Sequence, residues 1–115
     1  MTDTEEQEVY MTVIADTPAP PYYAVIFTSL RNSNEDGYAD MASRMVELAS
    51  QQPGFLGIES AREAIGITVS YWSSIESIKQ WKSNMDHIEA QKLGRSVWYA
   101  SYRVRISKVE RDYGF

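Results

Sequence analysis

The sequence predicts an α+β fold in which helices cover one face of a four-stranded antiparallel sheet, in the ferredoxin-like split βαβ arrangement. In two segments apolar residues alternate with polar residues, as in half-buried strands. In two other segments apolar residues recur at helical spacing. With two further apolar runs read as strands, the order is strand, helix, strand, strand, helix, strand, at residues 22–30, 38–52, 55–63, 65–72, 75–94 and 98–107.

The first strand and the first helix have clear limits in the sequence. Residues 22–30, YYAVIFTSL, form a near-continuous apolar run that is typical of a buried strand. The amphipathic helix that follows has to end by Gln52, because Pro53 disfavours helical backbone at the residue before it. Gly54 completes the turn into the second strand.

The second helical region is expected to consist of two pieces. Residues 73–76, SSIE, form a capping box in which a serine accepts from a first-turn amide and the glutamate reaches back. A second box at residues 86–89, DHIE, predicts that the helix breaks near Asn84 and restarts, with Gly94 as its stop.

Residues 1–21 are expected to form an N-terminal arm with a proline-rich connector, and residues 22–115 the folded domain. Three prolines between positions 18 and 21 fix φ and remove amide donors, so this stretch should be stiff and extended. The arm could reach over a neighbouring subunit or pack on its own subunit, and both alternatives stay open.

Composition excludes several classes of function. Without cysteine there is no thiolate zinc site, iron–sulfur cluster or cysteine nucleophile. A net charge of -5 argues against nucleic acid as a partner. The sequence has no signal-peptide pattern and no run of about 18 apolar residues, which predicts a cytoplasmic protein that does not enter membranes. No metal-ligand spacing, phosphate loop or nucleophile elbow is present, so neither a metal nor a cofactor is expected.

The predicted sheet needs a cover for its second face, because the helices of a split βαβ unit lie on one side only. For a small sheet rich in Val, Ile, Tyr and Trp, the usual cover is the same sheet of a second copy. The sequence therefore predicts a homodimer.

Eight residues are the candidates for a functional site. His87 and Trp81 are the candidate catalytic residues, and the candidate substrate-binding residues are Phe27, Tyr23, Tyr71, Trp72, Tyr99 and Arg103.

His87 is the only histidine, and with Asp86 as N-cap it would lie in a first helical turn. There the helix dipole favours the neutral imidazole, which can accept a proton. The alternative is that His87 caps, packs or lies in solvent. Trp81 is likewise either a core residue or a pocket wall.

Strand alternation constrains the other candidates. Tyr71 and Trp72 point to opposite faces, so they cannot both line one cavity, and which of them faces the helices stays open. Alternation puts Arg103 and Arg105 on the same face as Tyr99. These guanidiniums could hold a substrate oxyanion or pair with carboxylates across a dimer.

Several spaced motifs resemble the antibiotic biosynthesis monooxygenase family over residues 21–115. They are QPGFLGIES (52–60), YW (71–72), IKQWK (78–82), HIEAQKLGR (87–95) and WYASYRVRISKVERDY (98–113). The resemblance implies a dimeric α/β barrel of paired ferredoxin-like sheets. It also implies a choice of activities, because some members oxidise polycyclic aromatic compounds with molecular oxygen without any metal or prosthetic group, and others degrade haem.

The haem-degrading members carry an asparagine on the first strand, a tryptophan on the helix after the third strand, and a histidine about three turns beyond it. Trp81 matches the tryptophan, but Gln91 falls near the histidine position and Phe27 near the asparagine position. Haem degradation is therefore the third hypothesis. The first is a cofactor-independent monooxygenase that oxidises a phenolic or quinone-like molecule, with His87 as proton acceptor and Trp81 as a pocket wall. The second is a non-catalytic dimeric ligand-binding or stress-related α/β-barrel protein.

Overall fold

Within the residues that the structure describes, six elements follow one another in the order that the sequence predicts. The computed structural model describes residues 13–87 and 98–115, with the side chains of residues 86 and 87 outside the description. The elements are β1 (Tyr22–Arg31), α1 (Tyr38–Ser50), β2 (Phe55–Arg62), β3 (Gly66–Trp72), α2 (Ile75–His87) and β4 (Tyr99–Val109). The strands form one sheet in the order β2-β3-β1-β4, and all three neighbouring pairs are antiparallel. This is the ferredoxin-like arrangement, and the predicted fold class is confirmed.

The register of β1 against β3 decides which side chains face the helices. Tyr23 lies opposite Trp72, and Ser29 lies opposite Gly66. Trp72 belongs to the hydrophobic core, so its face is the helix face and the adjacent Tyr71 lies on the open face. The question that alternation left open is settled by the position of the core.

The core lies between the helices and the β2–β3 side of the sheet. Trp72 is completely buried, and the Trp81 ring stacks on it with ring centroids 6.2 Å apart. Ala49 and Ile78 complete the buried cluster, and the residues that pack against it are Tyr23, Val25, Met45, Leu48, Phe55 and Met85.

Strand β4 contains a bulge near its start. Arg31 pairs with Tyr99, but the preceding residue, Leu30, pairs with Ser101. Ala100 is therefore an extra residue on β4, and the alternation of side chains shifts by one position there.

This bulge puts Tyr99 and Tyr102 on the helix face, while Arg103 and Arg105 lie on the open face. The prediction that the two arginines share a face with Tyr99 was wrong. Strict alternation cannot anticipate an inserted residue, because each insertion reverses the faces of everything that follows it.

Helix α2 begins one residue later than the predicted capping box requires. The Ser74 hydroxyl accepts from the Ser77 backbone N–H (3.1 Å), and the two hydroxyls also lie 2.9 Å apart. The cap is therefore Ser74 with Ser77 as the third helical residue, and the predicted pairing of Ser73 with Glu76 was wrong.

The predicted break of α2 near Asn84 was also wrong, because the helix continues to His87. Burial of Met85 against the core favours continuation of the apolar stripe. The Asn84 amide lies in the helix and donates to the Gln52 side chain (2.7 Å). The predicted restart over 88–94 lies outside the described residues.

Residues 13–17 pack on the open face of their own sheet. The Ala15 backbone N–H donates to the Glu59 carboxylate (2.9 Å), and the Thr17 hydroxyl donates to the Tyr22 hydroxyl (3.0 Å). These two hydrogen bonds hold this part of the arm against its own sheet. No helix among the described residues has the length and apolar character needed to cross a membrane.

Candidate functional site

The candidate site lies on the helix face, where β1 ends and β4 begins. Phe27 packs edge-on against Tyr99 (5.4 Å between ring centroids) and lies 5.5 Å from the ring of Tyr102. Tyr38, the first residue of α1, contacts Tyr99 from the other side at 5.9 Å. We call these four aromatic residues the Tyr99 cluster. It joins three rings from the sheet to one from a helix.

Arg31 connects this cluster to the β1–α1 loop. Its Nε atom donates to the Trp98 carbonyl (3.0 Å), and Nη2 donates to the Asn34 carbonyl (2.7 Å) and the Glu35 carboxylate (3.0 Å). Its Cζ atom also lies 3.4 Å from the centroid of the Tyr38 ring, a close cation–π contact. Through these contacts Arg31 holds the β1–α1 loop against the start of β4.

Arg62 approaches the same face from β2. Its side chain passes over Gly66, where a Cβ atom would overlap the guanidinium, and Nη2 donates to the Ser29 hydroxyl. Ser29 is 2% exposed, so its position is fixed by the sheet. Within the part of the chain that the structure describes, the Arg62 guanidinium has no carboxylate partner.

Tyr99 is held in its neutral form. Burial raises the pKa of its phenol above the ordinary value, and the hydrogen bond to Tyr38 acts in the same direction. Arg62 and Arg31 oppose the shift by favouring the phenolate, but burial prevails. At neutral pH the Tyr99 hydroxyl is therefore a hydrogen-bond donor and not a base.

The structure separates the candidate residues into three groups. Tyr23, Trp72 and Trp81 belong to the core at the start of β1. Phe27 and Tyr99 belong to the Tyr99 cluster, four residues or roughly 13 Å further along β1.

The third group lies on the open face, away from both of the others. Tyr71 donates to the Glu59 carboxylate there (2.5 Å), and burial together with that carboxylate raises its pKa. Arg103 borders an open-face depression of about 300 Å³ together with Arg105 and Thr28. The side chain of His87 lies outside the described residues.

The sequence-based search missed Tyr38, Arg31, Arg62, Ser29 and Tyr102. Tyr102 was missed because the bulge in β4 puts it on the same face as Tyr99, which strict alternation does not predict. The group formed by Ser29, Gly66 and Arg62 depends on the register of three strands. In the sequence, the small side chains at positions 29 and 66 are the one sign that another side chain could lie close to the sheet there.

Comparison with known proteins places this fold in a family. The antibiotic biosynthesis monooxygenase family matches residues 21–93, more than half of the chain. The chain belongs to the antibiotic biosynthesis monooxygenase family. The uncharacterised protein YqjZ of Bacillus subtilis (strain 168) is 55% identical over 104 residues, which cover 89% of this chain and 91% of YqjZ.

Solved structures of other proteins share the fold of this chain at low sequence identity. SnoaB, a cofactor-independent oxygenase from Streptomyces nogalater, matches with a TM-score of 0.68 and 9% identity over 81% of this chain and 97% of SnoaB. The heme-degrading protein Rv3592 from Mycobacterium tuberculosis matches with a TM-score of 0.51 and 19% identity over 84% of this chain and 100% of that chain. At such identities the likeness shows the fold alone.

Proposed function

We propose that this chain is a monooxygenase that oxidises a small aromatic molecule, phenolic or quinone-like, in a pocket between the helices and the sheet. Family membership supports the reaction class. The observation that carries the location is the Tyr99 cluster, which combines aromatic surface with a neutral phenol donor and a neighbouring guanidinium. Aromatic rings bind a planar substrate, and the donors stabilise negative charge that develops on its oxygen.

The reaction balances without an external reductant when the substrate is an anthrone. Its CH₂ group becomes a carbonyl that contains one atom of O₂, and the other oxygen atom leaves as water with the two hydrogens. The protein has to help the substrate lose a proton, because the resulting anion reacts with oxygen far more readily. In this proposal His87 accepts that proton, Tyr99 donates to the oxyanion and Trp81 forms the inner wall of the pocket.

Trp81 is 9% exposed and packs in the core, so its proposed part in the reaction is to shape the pocket. Tyr23 and Trp72 support that wall from the sheet. Tyr71 and Arg103 lie on the opposite face, and for them we propose a part in subunit contact.

The second candidate function is a dimeric α/β-barrel protein that only binds an aromatic ligand. The observation in its favour is that burial raises the pKa of the Tyr99 phenol, so this group of the cluster stays protonated and cannot serve as the base. Tight binding of an anthrone or hydroquinone without chemical change under air would favour this function.

Haem degradation fits the site poorly. At the position near the family's first-strand asparagine, this chain has Phe27, whose ring packs on Tyr99 and Tyr102, so an apolar ring replaces the side-chain amide of the haem-degrading members. Gln91, near the family's histidine position, lies outside the described residues. A haem titration without a Soret shift would remove this hypothesis.

A homodimer belongs to the same proposal. The family's members are typically dimeric, and the open face carries the exposed side chain of Ile67 beside an apolar depression of about 410 Å³. The cytoplasmic location expected from the sequence stays a prediction.

The test is oxygen uptake by the metal-free protein with a panel of anthrones and hydroquinones. Wild-type protein should consume oxygen above the protein-free blank, and His87→Ala should lose about 100-fold or more of the rate. Lys79→Ala, an exposed position of the same helix, is the control and should retain it. Wild-type rates in His87→Ala would refute the base assignment, and no uptake with any substrate would favour the binding protein.

A further inference from the structure

Two arginines reach the helix-face site, and the described residues give them different partners. Arg31 is 13% exposed, contacts two carbonyls and one carboxylate, and stacks on Tyr38. Arg62 contacts a neutral hydroxyl, that of Ser29, and no carboxylate within the described residues. Within the described residues, the Arg62 guanidinium is therefore oriented by a neutral partner and its charge is not neutralised, although the protein has 16 acidic residues.

The position of Arg62 depends on two features of neighbouring strands. Gly66 provides the space in which the guanidinium crosses β3, because any Cβ there would overlap it. Ser29 then receives one of its N–H groups from a position fixed by the sheet. The remaining N–H groups form a planar set of donors that matches a carboxylate or a pair of adjacent oxygens.

The distance from this guanidinium to the aromatic surface suits a single small molecule. Ser29 lies two residues beyond Phe27 on the same face of β1, which separates their Cα atoms by about 7 Å. A ring that packs on Phe27 can therefore place a substituent on its own edge near Arg62. The Tyr99 hydroxyl stays protonated, and its proton, which points to the Tyr38 hydroxyl across a long 3.5 Å contact, can turn to the same oxygens.

We propose that Arg62 forms an anion-binding subsite, positioned by Ser29, that selects aromatic substrates with an acidic oxygen group directly beside the ring. The inference rests on the proposed function for the pocket and adds the substrate class, an aromatic acid or phenolate rather than a neutral aromatic. Arg62 binds the anion, and Ser29 acts as a positioning residue.

The experiment compares two probes that differ only in charge, 1-hydroxy-2-naphthoate and its carboxamide, by titration calorimetry. Wild-type protein should bind the naphthoate about tenfold or more tightly than the amide. Arg62→Gln should bring the two affinities together, and Ser29→Ala should reduce the ratio although the charge is retained. Arg44→Gln, an exposed position of α1 with the same change in net charge, should keep the wild-type ratio.

Three results would overturn the inference: equal affinity of wild type for the two probes, no binding of the naphthoate at millimolar concentration, or an unchanged ratio in Arg62→Gln. Oxygen uptake is measured separately on the same variants. Tighter binding of the naphthoate without oxygen uptake would support the anion-binding subsite and refute the monooxygenase proposal. Oxygen uptake with equal affinity for the two probes would support the monooxygenase and refute the subsite.

Discussion

Arg31 and Arg62 carry the same charge toward the same side of the sheet, but their surroundings give them different roles. The carbonyls of Trp98 and Asn34 accept hydrogen bonds from Arg31, so its guanidinium holds a loop in place. Arg62 has a serine for a partner, which orients a guanidinium without neutralising it. At the scale of single residues, the polar partner decides whether a cation is structural or available to a ligand.

Tyr99 should make stability depend on pH in the alkaline range. Its folded-state pKa is raised by burial, so the folded state keeps a proton that the unfolded state loses. The contribution is fully present below the unfolded pKa of about 10 and is lost as pH rises through the folded pKa. Urea unfolding between about pH 9 and pH 11 should therefore show a steeper loss of stability in wild type than in Tyr99→Phe.

The control for this measurement is Tyr113→Phe, because the Tyr113 ring is 94% exposed. It should retain the wild-type pH dependence. An identical slope in wild type and Tyr99→Phe would contradict the placement of Tyr99 in a buried cluster.

Gly54 is a residue whose identity the backbone requires. Its φ is +84°, and a Cβ atom would overlap the Ser77 side chain at the start of α2. Gly54→Ala should lower the free energy of unfolding by about 1–3 kcal/mol. Gly114→Ala, where an added Cβ meets nothing, is the control and should be neutral in chemical denaturation. Equal stability of the two variants would contradict the turn.

At the scale of elements, one inserted residue in β4 determines the composition of the candidate site. Because Ala100 has no partner on β1, Tyr99 and Tyr102 reach the same face and both contact Phe27. Without the bulge, one of the two tyrosines would face the opposite side of the sheet. The bulge thus assembles the aromatic surface and sends Arg103 to the other face.

Helix α2 allows a direct test of its cap. Ser74→Ala removes the acceptor of the Ser77 backbone N–H and should cost about 1 kcal/mol. Ser73→Ala removes the serine of the box predicted from sequence and should cost less. Thermal or urea unfolding of both variants measures the two losses of stability. A larger loss for Ser73→Ala than for Ser74→Ala would favour the capping box predicted at residues 73–76.

At the scale of the whole molecule, the two faces of the sheet differ in what covers them. The helix face carries the core and the candidate site, whereas the open face is covered in part by residues 13–17 and leaves Ile67 45% exposed. An exposed isoleucine beside an apolar depression on a sheet face is typical of a surface that associates.

The proposed dimer predicts that Ile67→Lys shifts the protein to a monomer, because a charge in a sheet-to-sheet contact loses its hydration. Sedimentation velocity measures the change directly. Gln80→Lys adds the same charge on the exposed side of α2 and should leave the assembly intact. A dimer that persists in Ile67→Lys would place the contact elsewhere, and a monomeric wild type would refute the dimer.

The sequence by itself determined the order of the elements and the fold class, because periodicity and turn residues are local properties that each segment carries alone. Its resemblance to the family rested on the spaced motifs instead. The sequence also predicted the limits of α1 and the opposite orientation of Tyr71 and Trp72. Only the tertiary structure decided which of the two faces the helices, where β4 contains its bulge, and that Ser29, Gly66 and Arg62 meet across three strands. These features depend on register between segments far apart in the chain, and a one-residue shift in register changes every contact while leaving the local pattern the same.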